Sequence, residues 1–306
     1  MSEAAPATPT GGVLRWALAL ALLVFVGWQV VKGGQELMAR HVTLAPWPLA
    51  GSLLGLGAFL VLGCEGWRRL IGALGHPLPY RQAFAILFVS NLGKYLPGGV
   101  WNLLGRVVLC ERAGVPKLAT TISLLMETAC QVVAALLVGL LMLPVFASHS
   151  LAADPRLLAA AVGAIALGMH PRVLNAWLAL GQRLTGKELP RLPFSYGFVL
   201  VMLAFYTCNW LLLGGAFALL GQALSSVALS VPQIGLLVGA FAVAWNAGVF
   251  AFFFPAGLGV REAALLLLLG PSFPAGWPAA LALVARLWFT VAEVAAFGLA
   301  GWLGRR

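Results

Sequence analysis

Residues 91–115 read NLGKYLPGGVWNLLGRVVLCERAGV, and the segment GKYLPGG at 93–99 interrupts an apolar run that extends from residue 82 to 113. A helix does not continue easily through this segment, because proline lacks a backbone N–H and glycine is a poor helix former. A second break, PAGLG at 255–259, interrupts the apolar residues 232–270. Any fold assigned to the chain must account for these two interruptions of long apolar runs.

The composition around the breaks is typical of a membrane protein. Of 306 residues, 61% are hydrophobic and 9% are charged, and the mean hydropathy is +0.97. Soluble domains carry about 25% charged residues, so lipid is the solvent that suits this chain. Other apolar runs occupy 14–31, 47–71, 118–146, 157–169, 195–221 and 278–303. We predict an all-α polytopic membrane protein with about six to eight transmembrane helices, and with two broken, re-entrant-like segments. It comprises a polar tail at 1–13 and a single transmembrane domain at 14–306.

Loop charges predict the orientation. The formal net charge is +10, and basic residues gather in the 170–194 connection, whereas 222–231 and 270–277 carry no charge. The positive-inside rule therefore places both termini and the 170–194 connection in the cytoplasm. The first break then has both flanks on the cytoplasmic side and the second has both flanks outside. Breaks of opposite polarity indicate an inverted repeat.

The two halves also share an order of parts. In each, a Pro–Gly break is followed by an arginine (Arg106 or Arg261) and an apolar run, and then by a Gly/Pro connection. A spanning helix with one glutamate follows, Glu127 in the first half and Glu293 in the second. This parallel supports the repeat.

Paired broken helices in matching places indicate a transporter's binding site. Lys94 and Arg106 flank the first break and Arg261 follows the second, so we expect an anionic headgroup site there, helped by the N–H groups at the start of each following helix. The alternative is that Pro and Gly only kink the helices while the arginines reach the interface. The predicted substrate-binding set is Lys94, Pro97, Gly98, Gly99, Trp101, Arg106, Gly257, Gly259 and Arg261.

Four further charged residues are candidates for an ion network. Charges within spans are costly and should face a polar interior. Arg286 and Glu293 are seven residues apart, two turns along one helix face, and together with Glu127 and Glu262 form either a proton-coupling group or a static network. The sequence leaves both readings open.

Other residue types favour structural roles. Most of the eleven tryptophans, Trp67 among them, lie near the ends of apolar runs, as in an interfacial aromatic belt. The four cysteines and four histidines form no ligand pattern, and no phosphate-binding loop, nucleophile elbow or metalloprotease motif is present. We therefore expect no metal, no cofactor, no catalytic residue and no nucleic-acid partner.

Three segments together resemble a known family: NLGKYLPGGVWNLLGRVVLCERAGV at 91–115, SLLMETA at 123–129 and FPAGLGVREAALLLLL at 254–269. They look like the membrane domain of bacterial lysylphosphatidylglycerol synthase/flippases and of stand-alone flippase-like relatives. His170 with Pro171, and the helix with Arg286 and Glu293, fit the same pattern. Ala256 departs from it, since Pro-Gly-Gly is common where this chain has Pro-Ala-Gly.

The resemblance implies lipid translocation across the cytoplasmic membrane, of an anionic phospholipid or a polyprenyl-phosphate-linked lipid. The chain ends at Arg306, just past its last span, so we expect it to lack the synthase domain and to be no enzyme. Two alternatives stay open: a membrane-embedded transferase that uses a polyprenyl-phosphate donor, with Glu36 or Asp154 as its carboxylate, and a non-catalytic partner of a lipid-modifying enzyme. Expected partners are membrane lipids, and beyond them a lipid-modifying enzyme or a glycosyltransferase.

Overall fold

A computed structural model describes residues 44–95, 100–146, 154–186, 191–225, 227–250 and 259–303, together with Gln35. The predicted N-terminal tail and the apolar run at 14–31 lie outside the described residues. Within them, the chain forms ten α-helices and no strand: α1 (Pro46–Ala73), α2 (Tyr80–Asn91), α3 (Trp101–Arg112), α4 (Lys117–Phe146), α5 (Pro155–Gly168), α6 (Pro171–Thr185), α7 (Tyr196–Leu224), α8 (Val231–Phe250), α9 (Val260–Leu269) and α10 (Trp277–Leu303). A short 3-10 helix, Leu92–Tyr95, follows α2.

Five of these helices are long and apolar enough to cross a membrane: α1, α4, α7, α8 and α10. The pair α5 and α6, bent by 62° at the junction, would add a sixth if it formed one span. The prediction of an all-α polytopic membrane protein is confirmed. Helices α2 and α3 have 12 residues each, a length of roughly 18 Å, well short of the roughly 30 Å hydrocarbon layer. Neither helix is therefore long enough to cross on its own. Helix α8, before the second break, is by contrast one of the five candidate spans, which the prediction of a second re-entrant-like segment did not anticipate.

The helices fall into two units with the same order of parts. Unit 1 is α1–α4 and unit 2 is α7–α10; each consists of a long helix, two helices separated by a break, and a second long helix. Each helix of unit 1 packs on partners equivalent to those of the corresponding helix of unit 2. Helix α1 packs on α7, α2 packs on α10 just as α8 packs on α4, and the helices on either side of each break pack on each other.

The corresponding helices α1 and α7 run antiparallel. At one end, the N–H of Ala45 donates to the carbonyl of Ala223 over 2.8 Å. Toward the other end, a Cβ on Gly66 would lie 2.8 Å from Cζ of Tyr206, so the two helices touch there as well. Because equivalent helices point in opposite directions, the axis that relates the units is perpendicular to the helices. The fold is an inverted repeat.

A small buried cluster fixes the first broken segment. The rings of Phe84 and Phe88 of α2 are tilted by 45° with their centroids 4.4 Å apart. They pack with Cys110 of α3 and with Ala296 and Ala300 of α10. A larger cluster fills the space among α1, α4, α7, α8, α9 and α10. Helices α2 and α3 are thus held against the last helix of the other unit, and this brings residues of both units to one cavity.

Candidate functional site

A cavity of about 350 Å³ lies between the two units. Its walls come from α1, α2, α3 and α4 of unit 1 and from α8, α9 and α10 of unit 2. A smaller cavity of about 80 Å³ adjoins it on the side of unit 2. The residues shared by the two linings are Lys94, Trp245, Arg261, Phe289 and Glu293. The cavities form one site with two chambers.

Ionisable side chains dominate the polar part of this site. Among the described residues, four cationic side chains and three carboxylates line one or both chambers: Lys94, Arg106, Arg261 and Arg286, and Glu127, Glu262 and Glu293. Buried charges are tolerated where they are paired or hydrogen-bonded. The count leaves one positive charge in excess, so the lining is suited to an anion.

Arg106 of α3 is held in a buried network. Its Nη1 donates to Oε2 of Glu127 over 2.5 Å, and its Nη2 donates to Oδ1 of Asn91 over 3.0 Å. Its guanidinium lies 5.1 Å from the ring centroid of Trp67. Only 5% of Arg106 is exposed. These contacts tie α1, α2, α3 and α4 together, so this arginine is part of the framework of unit 1.

Trp67 shows where sequence reasoning failed. The prediction that it belongs to an interfacial belt is wrong, because the side chain is completely buried and its Nε1 donates to Oγ of Ser123 over 3.2 Å. The signal was its helical spacing from Cys64 and Ile71, which are also fully buried. Trp47, at 85% exposed, has the exposure that a belt requires.

Lys94 and Glu293 form an ion pair between the units. Nζ of Lys94, in the 3-10 helix of unit 1, donates to Oε1 of Glu293 on α10 of unit 2. Lys94 also lies 5.6 Å from the ring centroid of Phe289. Glu293 is buried, whereas the Lys94 side chain is 27% exposed. Arg286, two turns before Glu293, lines the smaller chamber with it.

Arg261, the second residue of α9, lies between both chambers. Its guanidinium is 5.8 Å from the ring centroid of Trp245. A Cβ on Gly248 would approach its Nε to 2.5 Å and its Cγ to 2.6 Å, so the absence of a side chain at Gly248 is what makes room for this arginine. Gly248 and Trp245 are one helical turn apart, and the Arg261 side chain packs against both.

Arg106 and Arg261 occupy matching positions in a repeat that begins before the Pro–Gly breaks. The first unit has Asn-Leu-Gly at 91–93 and the second has Asn-Ala-Gly at 246–248. Arg106 and Arg261 each follow the asparagine by 15 residues. This Asn-x-Gly signal was present in the sequence, and it assigns Gly93 and Gly248 to equivalent places.

Gly93 brings two stretches of backbone together. A Cβ at this position would lie 2.6 Å from the backbone N of Asn102 and 2.6 Å from the carbonyl carbon of Trp101. The 3-10 helix therefore rests directly on the first turn of α3. At Gly248 the neighbour is the side chain of Arg261 instead.

The start of α9 has a partner of its own. Gly259 has a φ of +83°, which favours glycine, and its N–H donates to Oε2 of Glu262 over 2.8 Å. The expectation that this helix start offers its first N–H to a ligand is therefore corrected: a carboxylate of the same helix accepts from it, in the manner of a capping box. Glu262 also lines the smaller chamber.

The remaining predicted residues lie apart from the chambers or outside the described chain. Trp101 is 48% exposed and lines neither chamber. Pro97, Gly98, Gly99 and Gly257 fall outside the described residues. The structure thus brings together Lys94, Arg106, Arg261 and the four residues of the predicted ion network, although Arg106 serves mainly the framework.

Fold and site together define a class: a multi-pass helical membrane protein in which two inverted units enclose a charged cavity. The family model for the lysylphosphatidylglycerol synthase TM region matches residues 13–301, so the chain belongs to that family. The match includes both units and every residue of the cavity. The family supports a membrane domain associated with lipid handling. A comparison with curated proteins finds no match.

Proposed function

We propose that this protein translocates an anionic lipid, either a phospholipid or a polyprenyl-phosphate-linked lipid, between the leaflets of the bacterial cytoplasmic membrane. From the distribution of loop charges, we further propose that both termini lie in the cytoplasm. The observation that carries the proposal is the position of the cavity: its lining has an excess of one positive charge and comes from both inverted units. Alternating-access transporters bind their substrates at such a place.

The size of the cavity suits a headgroup rather than a whole lipid. About 350 Å³ is at the lower end of the volumes of small-molecule sites, so the acyl chains have to stay in the membrane. Leu103 of α3 lines the cavity and is 39% exposed, and its neighbour Leu104 is 52% exposed. The cavity wall therefore continues onto the apolar outer surface of α3, beside which acyl chains can lie.

Lys94 and Arg261 are the cations that a headgroup would engage. Each of them lines both chambers, whereas Arg106 lines only the larger one. An anionic headgroup that binds Lys94 competes with Glu293 for the same ammonium group. Since Lys94 and Glu293 belong to different units, this competition weakens a contact between the units when substrate binds, and so links binding to their relative movement.

We propose a transporter rather than an enzyme, and one contact weakens the transferase alternative. Asp154, one of its two candidate carboxylates, accepts from the backbone N–H of Arg156 over 2.7 Å and caps α5. The other candidate, Glu36, lies outside the described residues. Within the cavity, Glu127 and Glu293 accept from cations and Glu262 from a backbone N–H.

Native mass spectrometry of the detergent-purified protein tests lipid binding. We expect an anionic phospholipid or polyprenyl phosphate to stay bound to the wild type, and to be lost at least tenfold more readily from Arg261→Gln. Lys117→Gln is the matched control, since Lys117 is 65% exposed and pairs with Glu111 away from the cavity. Equal amounts of bulk phospholipid on all three proteins would contradict the proposal and favour a non-catalytic partner of a lipid-modifying enzyme.

A further inference from the structure

Helices α5 and α6 connect unit 1 to unit 2 in the sequence and line neither chamber of the cavity. Their role is therefore a separate question. The end of α4 lies beside the start of α8, where a Cβ on Gly235 would be 2.4 Å from Cγ1 of Val145. The end of α7 is there too, because Oε1 of Gln222 accepts from the N–H of Leu229 just before α8. Helices α4 and α7 therefore end on the same side, and the chain between them must return across the membrane.

The segment between the end of α4 and Gly168 makes this return, and the 14 residues of α5 supply about 21 Å of it. The hydroxyl of Tyr196, the first residue of α7, donates to the carbonyl of Ala166 over 2.9 Å. The rings of Tyr196 and His170 lie 4.5 Å apart. By residue 170 the chain has thus reached the side on which α7 begins. Helix α6, bent by 62° from α5, has no membrane left to cross.

After α6 the chain stays on that side. Asn175 is bonded twice to Leu192: its Nδ2 donates to the Leu192 carbonyl over 3.1 Å, and its Oδ1 accepts from the Leu192 N–H over 2.7 Å. The chain then enters α7 at Tyr196. Helix α6 therefore begins and ends on the same side of the membrane, where it projects from the helices that form the core.

The outer surface of α6 carries an apolar stripe. Exposed residues at spacings of four, three and four positions form it: Val173, Trp177, Leu180 and Leu184, at 38%, 67%, 45% and 78% exposed. A helix of 3.6 residues per turn places them on one narrow face. Leu174 lies on the side that packs against the protein core, so the stripe is not used inside the described part of the chain.

Two arginines flank the stripe. Arg172 and Arg183 are exposed and lie roughly 90–110° around the helix from it, on the same side and about 16 Å apart along the axis. Helix α6 contains no acidic residue. An apolar stripe with tryptophan, bordered by arginines, is the pattern of a helix that lies in the plane of a membrane surface.

We infer that α6 is an interfacial helix that binds the anionic leaflet on the side where α7 begins. Its stripe enters the lipid to the depth of the acyl-chain boundary, and Arg172 and Arg183 bind lipid phosphates. By the distribution of loop charges this is the cytoplasmic leaflet. This inference does not depend on the transport function.

Spin labelling in nanodiscs tests the depth of α6. In a Cys208→Ala background, which removes the one exposed cysteine among those described, a label is attached at Trp177→Cys or, on the polar face, at Gln182→Cys. We expect the label at 177 to collide more with oxygen than with a water-soluble nickel complex, and the label at 182 to show the reverse. A water-accessible label at 177 would overturn the inference, and so would spin–spin broadening from a second copy.

Lipid preference tests the arginines. We expect Arg183→Gln to lower the enrichment of spin-labelled phosphatidylglycerol over phosphatidylcholine around the protein by up to about fivefold, from the loss of one interfacial cation. Arg156→Gln is the matched control, since Arg156 is an exposed arginine at the opposite end of α5. An equal decrease in both variants, or in neither, would contradict a specific role for α6.

Discussion

The two breaks of this protein have the same parts but use their arginines differently. Arg106, after the first break, donates to Glu127 and Asn91 and lies over the ring of Trp67. Arg261, after the second, rests on Gly248 beside Trp245 and borders both chambers. The equivalent residues of an inverted repeat thus differ in burial and in the chambers that they line.

The helices before the breaks differ as well. Helix α2 has 12 residues and is too short to span, whereas α8 has 20 and is long enough. The shorter helix continues into the 3-10 helix that carries Lys94 to Glu293 of the other unit. Unit 1 thus supplies the buried network of Arg106 and the lysine, Lys94, that pairs with the other unit. Unit 2 supplies Arg261, which lines both chambers.

The largest expected effect concerns the framework. We expect Arg106→Ala to lower the free energy of unfolding by about 3–5 kcal/mol, because it leaves Glu127 buried without its partner. Thermal unfolding in detergent measures this. The double variant Arg106→Met with Glu127→Leu should recover most of the loss, since two apolar side chains leave no buried charge. If Arg106→Ala unfolds at the wild-type temperature, the comparison between the arginines fails.

A smaller effect should separate the two equivalent glycines. Gly93→Ala places a methyl group against the backbone of Trp101 and Asn102, and we expect a cost of about 1–3 kcal/mol in stability. The three atoms nearest to a Cβ on Gly248 all belong to the Arg261 side chain, so Gly248→Ala should displace that arginine and reduce lipid retention with little change in stability. Thermal unfolding and native mass spectrometry on both variants check this, and the same profile for both would contradict it.

The smallest effect should come from the pair between the units. Glu293→Gln leaves Lys94 without a competing carboxylate from α10, so we expect anionic lipid to bind severalfold more tightly while translocation slows. Glu111→Gln is the control, because Glu111 is 52% exposed, pairs with Lys117 and lines neither chamber. Titration with anionic lipid at low protein concentration measures the affinity. Weaker binding in Glu293→Gln would show that Glu293 supports the site rather than competing for it.

The sequence predicted the repeat because its signals are local. A Pro–Gly segment breaks a helix wherever it occurs, and loop charges orient the spans without knowledge of their packing. The inverted order of the parts followed from these two facts. The Asn-x-Gly match before each break was equally readable, and it would have aligned Arg106 with Arg261 directly.

The partners of the charged residues were not predictable in the same way. Lys94 and Glu293 are 199 residues apart, and only the packing of α2 on α10 brings them together. Trp67 lies close to a run end, a position that suits an interfacial ring as well as a buried one, and the contact with Arg106 decides between them. For Arg106 itself, the sequence indicated a charge near a break but not that α4 neutralises it.

Proteoliposomes test most directly whether this cavity translocates an anionic lipid through Lys94 and Arg261, as we propose. Fluorescent phosphatidylglycerol or fluorescent polyprenyl phosphate is placed in both leaflets, and dithionite then bleaches the outer one. We expect wild type and Lys117→Gln to expose the inner pool of at least one of these lipids, and Arg261→Gln to leave it protected while unfolding at the wild-type temperature. Equal protection with wild-type protein and in empty vesicles, for both lipids, would contradict the proposed translocation.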